Sequence, residues 1–377
     1  MTVKSGYLSR AIDGLGELSK YSFENMRLVH SPPHRSMYAG GAGIAYTFWK
    51  AACALDDPLW LDHARLWIEH VYAAPQDGSQ ITYPEIPDEP VEIQPADSLL
   101  FGDRGLLLTR ALIAASEDSE PTLDRSLGKF MAPENKRLPV QEYLQGIAGR
   151  LVGSALLYRE LGQERLKEYG DALARDLIET AGVTDGSLPW RKNPRLGFAH
   201  GRGGNFYALL LWSKETGYAL PKWYLPALRQ YARSGRKHEH GISWPISEKS
   251  EEDYMDTWCN GAPGLIHLWT LAYSHFRDTF LLEAAEAAGE YCIHMPETKL
   301  GHICCGAAGV AYAFLALNRI DPGGGWLEQA RRYAELAGAG SVMKNWRLGL
   351  YGGLAGTVCL MLDMENPEEA ALPGVEG

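Results

Sequence analysis

The feature that most limits how this chain can fold is a short motif, Gly-x-x-Gly followed by an apolar run, which recurs seven times. Its first glycines are Gly40, Gly102, Gly146, Gly201, Gly261, Gly306 and Gly353, spaced 44 to 62 residues apart. A repeat of this period marks a fold built from stacked supersecondary units. The runs after the glycines, such as Leu151-Val152-Gly153-Ser154-Ala155-Leu156-Leu157 and Val310-Ala311-Tyr312-Ala313-Phe314-Leu315, are apolar all round. A polar turn and a more amphipathic stretch follow, as in Trp60-Leu61-Asp62-His63-Ala64-Arg65-Leu66-Trp67-Ile68. Helices apolar on every side sit inside, and helices with one apolar stripe lie on the outer surface. Seven such pairs close into an all-α (α/α) toroid of seven helical hairpins. Glycine before each inner helix permits a tight turn and close backbone approach. All seven turns are expected at one end of the ring, around its centre.

No low-complexity linker divides the 377 residues, so residues 1–377 read as a single domain. Residues 75–95 and 236–256 look like insertions, the first with a short hairpin around Gln80-Ile81-Thr82-Tyr83. No apolar run approaches the roughly 18 residues of a membrane span. The start of the chain lacks the basic residues and apolar stretch of a signal peptide. A cytoplasmic protein is expected. The formal charge of −11 argues against nonspecific nucleic-acid binding, which needs a basic surface.

Chemistry-bearing residues cluster at the motifs. Cys259 stands two before Gly261, Cys304 two before Gly306, Cys305 one before Gly306, and His200 one before Gly201. These are neighbouring sectors of the expected ring. Each lies near a helix N-terminus, where a thiolate is favoured. Adjacent cysteines are poor disulfide partners, and clustered cysteines in a cytosolic chain point to metal or catalysis. Cys259, Cys304 and Cys305 are therefore candidate zinc ligands, with a fourth position open for a substrate thiol. His302 is an alternative ligand to Cys304. Zinc would hold a bound thiol as a thiolate at neutral pH. His200 is placed to take the thiol proton or return one to carbon, although a histidine before glycines also serves as a cap or core residue. Cys53, Cys292 and Cys359 read as small buried hydrophobes, and His238 and His240 as solvated loop residues. Asp103 and Glu142 lie near motifs but make no convincing glycosidase pair.

At Trp258-Cys259-Asn260-Gly261-Ala262-Pro263-Gly264, Cys304-Cys305-Gly306 and Ala199-His200-Gly201 the chain resembles the lanthionine synthetase C (LanC-like) family, along essentially its whole length. The resemblance implies an α/α toroid and a zinc ion held by two cysteines and, usually, a histidine. It also implies addition of a cysteine thiol to dehydroalanine or dehydrobutyrine in a precursor peptide. Eukaryotic relatives are associated with adding glutathione to dehydroamino acids in proteins, and the Ala262-Pro263 of the motif is closer to their type. The family's Cys-His-Gly is Cys304-Cys305-Gly306 here, which resembles an all-cysteine subgroup of cyclases. Its acidic residue falls on Glu142, with a role in orienting His200 or substrate. Its arginine four before the first zinc cysteine corresponds to Met255, and its following tyrosine to Asn260. The implied partners are a dehydrated precursor peptide, or glutathione with a dehydrated protein, and a separate dehydratase or kinase-lyase.

Overall fold

A computed structural model describes residues 6–76, 80–81, 91–92, 97–133, 141–183, 188–250, 253–342, 344 and 347–377. Among them the chain is all-α apart from two two-stranded ribbons. Each Gly-x-x-Gly opens an inner helix: α3 (Gly41–Leu55), α5 (Asp103–Ser116), α7 (Ile147–Leu161), α9 (Arg202–Thr216), α11 (Ala262–Phe276), α13 (Ala307–Ile320) and α15 (Leu354–Asp363). Each inner helix packs on the next, and α15 packs back on α3, so the seven close into a ring. Their burial follows from their sequence. Every residue of α7 from Ile147 to Leu157 is buried. Its partner α8 (Glu164–Glu179) buries only Leu166, Gly170, Leu173, Ala174 and Leu177, a single helical stripe.

The outer layer departs from the expected order at one place. Outer helices α4 (Pro58–Ala73), α6 (Glu120–Phe130), α8, α10 (Tyr224–Arg233), α12 (Thr279–His294) and α14 (Trp326–Ala339) follow inner helices, as the pattern predicts. No outer helix follows α15. The seventh outer position is filled by α1 (Gly6–Leu18), which packs on α15 with Ala11, Gly14, Leu15 and Leu18 buried. The first element thus completes the last hairpin and ties the two halves of the ring seam. A short α2 (Phe23–Val29), capped by Ser22, leads into the first turn.

The glycines serve close approach. The N-cap glycines of the seven inner helices all have negative φ, such as −111° at Gly261, so no left-handed conformation is involved. A Cβ on Gly264 would lie 1.9 Å from the Trp258 carbonyl oxygen, and one on Gly309 would lie 2.1 Å from that of Ile303. The second glycine of every motif meets the carbonyl three residues before the first glycine in this way. The helix start therefore packs directly on the backbone of the turn that feeds it.

Neighbouring turns are joined by backbone hydrogen bonds between residues two before the first glycine. Tyr38 N–H donates to Leu100 O (2.8 Å), Leu144 to Ala199 (3.1 Å), Ala199 to Cys259 (2.8 Å), Cys304 to Tyr351 (2.9 Å) and Tyr351 to Tyr38 (2.9 Å). Between the second and third turns the Ser98 hydroxyl donates to Leu144 O instead (2.8 Å). Among the described residues no backbone bond joins Cys259 to Cys304.

Of the two insertions, 236–256 is less polar in its packing than in its sequence. Its hairpin β3 (Arg236–Lys237) and β4 (Ile242–Ser243) delivers Trp244 into the core, 5.3 Å from Trp269. Gln80–Ile81 (β1) pairs antiparallel with Val91–Glu92 (β2), while Thr82 and Tyr83 lie outside the described residues. Among the described residues no helix is long and apolar enough to cross a membrane. Two cavities, about 570 and 410 Å³, open at the end opposite the glycine turns, one lined by Lys214 and Arg319, the other by Lys50 and Cys53.

Substituting Gly264 by alanine is expected to destabilise the fold by about 3 kcal/mol or more, since a backbone carbonyl cannot yield as a side chain can. Gly128, inside α6 with open space at its Cβ, is the control. Gly128→Ala is expected to gain about 0.5–1 kcal/mol from reduced unfolded-chain entropy. Urea unfolding of both variants measures the difference.

Candidate metal centre

The turns of repeats three to five lie side by side through the Leu144–Ala199 and Ala199–Cys259 bonds, and the turn of repeat six meets that of repeat five at the cysteines, so the predicted residues share one arc of the ring. The Sγ atoms of Cys259, Cys304 and Cys305 lie within 4.8 Å of one another. Cys304 and Cys305 Sγ are 3.5 Å apart, far beyond a disulfide bond, and all six cysteines are free. Tetrahedral thiolates on zinc, at about 2.3 Å each, stand about 3.8 Å apart. The donor set and its spacing suit a soft cation. Cys259 and Cys304 are buried and Cys305 half-buried, so the cluster opens on the Cys305 side.

The electrostatics of the cluster favour the same conclusion. Thiol hydrogen bonds from Cys304 and then Cys305 lower the Cys259 pKa well below the ordinary value, against the effect of burial. Thr257 Oγ1 at 3.2 Å and Asn260 Nδ2 at 3.5 Å also approach this sulfur. The first negative charge therefore rests on Cys259. Its hydrogen bonds with the other two thiols raise their pKa values well above the usual range. Three buried thiolates this close can coexist only if a cation offsets their charge.

His302 lies outside the cluster. Its Nδ1 is 3.1 Å from the Tyr351 carbonyl oxygen, and the Cys305 N–H points at the same nitrogen (3.4 Å). Burial pushes its pKa down to about 4. Among the described residues the cluster has three ligand atoms from the cysteines and no fourth from a histidine or carboxylate.

Four residues before the first glycine, three turns use a side chain to cap their own backbone, while Gly197 and Gly349 hold that place in repeats four and seven. Ser36 Oγ accepts from Ala39 N–H (3.1 Å) and Ser98 Oγ from Phe101 N–H (2.9 Å). Glu142 occupies that same position, with Oε1 accepting from Gln145 N–H (2.7 Å) and Oε2 from Leu144 N–H (3.2 Å). His302 and Thr257 are the equivalents in repeats six and five. Glu142 thus has a structural duty that two serines perform elsewhere, and its carboxylate adds something beyond it. Its Oε2 is 3.6 Å from His200 Nδ1, longer than a hydrogen bond. Burial raises the Glu142 pKa to about 8 despite its two backbone donors, and burial lowers that of His200. At neutral pH the pair is a protonated carboxyl beside a neutral imidazole. His200 is partly exposed, at 22%, and its charged form is favoured by Cys259.

Other sequence expectations fare differently. Asp103 ion-pairs with Arg35 (3.1 Å). Cys53 is exposed, contrary to its reading as a buried residue, because its place near the end of α3 faces the 410 Å³ cavity; Cys292 and Cys359 are buried. His240 is exposed, whereas His238 is half-buried, its ring 4.7 Å from that of Tyr291 and 5.0 Å from that of Tyr254. The floor under the thiols was not anticipated. Tyr143, Phe198 and Trp258, each three before a first glycine, form an aromatic layer with Tyr351, with Trp258 4.9 Å from Tyr351 and 5.5 Å from Phe198. Their shared motif position was the signal available in the sequence.

Because the folded-state pKa of Glu142 is raised from 4.5 to about 8, its burial costs nothing below the unfolded value and costs progressively more up to the folded one. Wild-type stability is expected to fall between pH 5 and 8 by on the order of a few kcal/mol from this group. Glu142→Ser, which keeps a capping oxygen as Ser36 and Ser98 do, should fold and lose that decline. Melting curves of both metal-free proteins across this range test it, and parallel pH profiles would contradict it.

Residues 31–376 match the lanthionine synthetase C-like protein family. The zebrafish (Danio rerio) protein "Glutathione S-transferase LANCL1" is 26% identical over 367 residues, covering 90% of this chain and 84% of that protein. "LanC-like protein GCL1" of Arabidopsis thaliana is 29% identical over 312 residues, 74% of this chain and 70% of that protein. The solved structure of nisin cyclase superposes with a TM-score of 0.71 at 14% identity, covering 96% of this chain and 95% of that one, a likeness of fold. The ring of seven hairpins, the cysteine cluster at its glycine turns and a family match over nearly the whole chain agree: the protein belongs to the lanthionine synthetase C-like family.

Proposed function

We propose that this protein, acting as one domain, catalyses zinc-dependent thioether formation, adding a thiol to a dehydroalanine or dehydrobutyrine residue of a peptide. The observation that carries the reading is the set of three cysteine sulfurs within 4.8 Å of one another on two adjacent turns, one of which is hydrogen-bonded to the turn of His200. Cys259, Cys304 and Cys305 would hold the ion and leave its fourth position to the substrate. When bound, zinc supplies the positive charge that keeps a substrate thiol ionised at neutral pH.

The chain's own residues account for the proton. His200, neutral because burial lowers its pKa, accepts the proton of the incoming thiol. The sulfur forms a bond to the β-carbon, and the carbon–carbon π pair moves to the α-carbon. That carbon then takes a proton from His200, so nothing leaves and the product is the simple adduct. The protonated Glu142 carboxyl, 3.6 Å from the imidazole, withholds a full negative charge from it. An ionised Glu142 would hold the imidazole protonated and block the first step. Thr257 and Asn260 help carry the charge of Cys259.

With the thiol on the same peptide the product is a lanthionine or methyllanthionine ring, and the enzyme is a stand-alone cyclase. A second reading supplies the thiol separately, as glutathione. Two observations favour it: the Ala262-Pro263 beside Cys259, and the similarity to a zebrafish protein named a glutathione S-transferase. In either case a different enzyme must make the dehydroamino acid. A non-catalytic scaffold with structural zinc fits less well, since such sites are closed by four protein ligands and three are found among the described residues.

Purified wild type is expected to carry about one zinc per chain, and Cys259→Ala and Cys305→Ala to lose it. His200→Ala should keep the metal and slow thioether formation by about 10²–10⁴-fold. Mass spectrometry of a dehydrated peptide separates the two readings, because cyclisation leaves the mass unchanged and conjugation adds that of glutathione. Full activity in Cys305→Ala, or a wild type that takes up no zinc, would overturn the zinc mechanism.

A further inference from the structure

After α15 the chain turns back, and residues 372–377 enter the centre of the ring from the end opposite the glycine turns. Leu372 and Val375 are fully buried there. Three phenols donate to three successive carbonyls of this segment. Tyr351 Oη reaches Pro373 O (2.6 Å), Tyr143 Oη reaches Gly374 O (2.6 Å) and Tyr207 Oη reaches Val375 O (3.1 Å). The far side is clamped by charge. Glu376 Oε1 is 2.5 Å from Arg319 Nη2 and 3.1 Å from His267 Nδ1, and Arg159 Nη1 donates to Glu376 O (2.7 Å). Its Oε2 accepts from Leu372 N–H (3.1 Å), which folds the segment on itself.

Two of the three tyrosines adjoin residues of the candidate site. Tyr143 adjoins Glu142. The Tyr351 carbonyl accepts from Cys304 N–H (2.9 Å) and lies 3.1 Å from His302 Nδ1. One covalent residue separates the segment's hydrogen bonds from Glu142, and one further hydrogen bond separates them from a cysteine of the cluster. A buried phenol–carbonyl bond contributes roughly 1 kcal/mol, and losing one partner leaves the other desolvated at a cost of about 1–3 kcal/mol. These bonds are strong enough to fix where two turns sit relative to each other.

We propose that residues 372–377 are a positioning element of the thiol site, holding Tyr143 and Tyr351 from beneath and so setting the placement of the Glu142 carboxyl and the Cys304 sulfur. The segment does not touch substrate. Its effect on metal binding rests on the zinc reading above, while its effect on the turns does not.

The test uses Glu376→Ala, which opens the charge clamp, and Tyr351→Phe, which removes one hydroxyl and conserves volume. Zinc affinity is read by chelator competition, and amide exchange at Cys304, Leu144 and Gln145 is followed in metal-free protein. Outer-shell partners of metal ligands typically change affinity about 10–100-fold, so Glu376→Ala is expected to weaken zinc about 10-fold at the lower end of that range. Exchange at the three amides should accelerate, with helices α8 and α12 unchanged. Tyr351→Phe should shift both readouts in the same direction by less, and it decides the matter if Glu376→Ala does not fold. Wild-type exchange at these amides in a folded variant, with or without a lower melting temperature, would overturn the proposal. Faster exchange in a protein that binds no zinc even as wild type would sustain the positioning role while the zinc mechanism fell.

Discussion

The structure depends on a ring of backbone hydrogen bonds around the glycine turns. Each connects residues two before the first glycine of adjacent repeats, and each requires the turn to lie flat against the start of its inner helix. A side chain on the second glycine of any motif would overlap a carbonyl and prevent this. Close approach at seven points, more than helix packing alone, fixes the relative height and rotation of the hairpins. The ring has two joints without the backbone bond. One is bridged by the hydroxyl of Ser98. The other, between Cys259 and Cys304, is where the three thiols gather. The cluster therefore stands at a joint between repeats, where a cation can link two sectors that the backbone leaves unlinked.

The same turns explain how chemistry arises without disturbing the fold. At the position four before the first glycine, Ser36, Ser98 and Glu142 present an acceptor to the N–H three residues later, whereas His302 turns its Nδ1 to the Tyr351 carbonyl. Changing serine to glutamate keeps the cap and places a carboxyl against His200. In repeat five Thr257 instead reaches the sulfur of Cys259. A structural position is thus reused, sector by sector, to place different polar groups around the thiol cluster. The electrostatic consequence is a low-polarity arc in which Glu142 retains its proton and His200 does not, while the thiols compete for a single negative charge. A bound cation would release that competition.

The repeat, the inner and outer layers and the candidate thiol ligands were legible in the sequence. They depend on local patterns: apolar periodicity sorts helices by burial, and a fixed offset from glycine places a side chain at the same point of every turn. Cys259, Cys304, Cys305, His200 and Glu142 could be brought to one arc on that basis. Cys53 shows where the reasoning fails, since the end of a mainly apolar helix faces a cavity and its environment is set by segments distant in sequence. His302 shows another limit. Its closeness in sequence to Cys304 suggested a ligand, but a two-residue difference in position on the turn directs its ring to Tyr351.

By itself the sequence determined that seven inner helices form, six of them followed by an outer partner, that their turns share a glycine design and that reactive residues sit on neighbouring turns. Only the tertiary structure decided how the ring closes and what fills it. The seventh outer helix comes from the beginning of the chain because α15 exposes an apolar face with no following helix to cover it, and α1 has the matching stripe. Residues 372–377 occupy the centre because the ring leaves three phenols, two arginines and a histidine pointing inward, and buried polar groups must find partners. Neither pairing has a periodic signature. Each joins residues far apart in the chain, and a local pattern carries no information about which distant surface will be left uncovered.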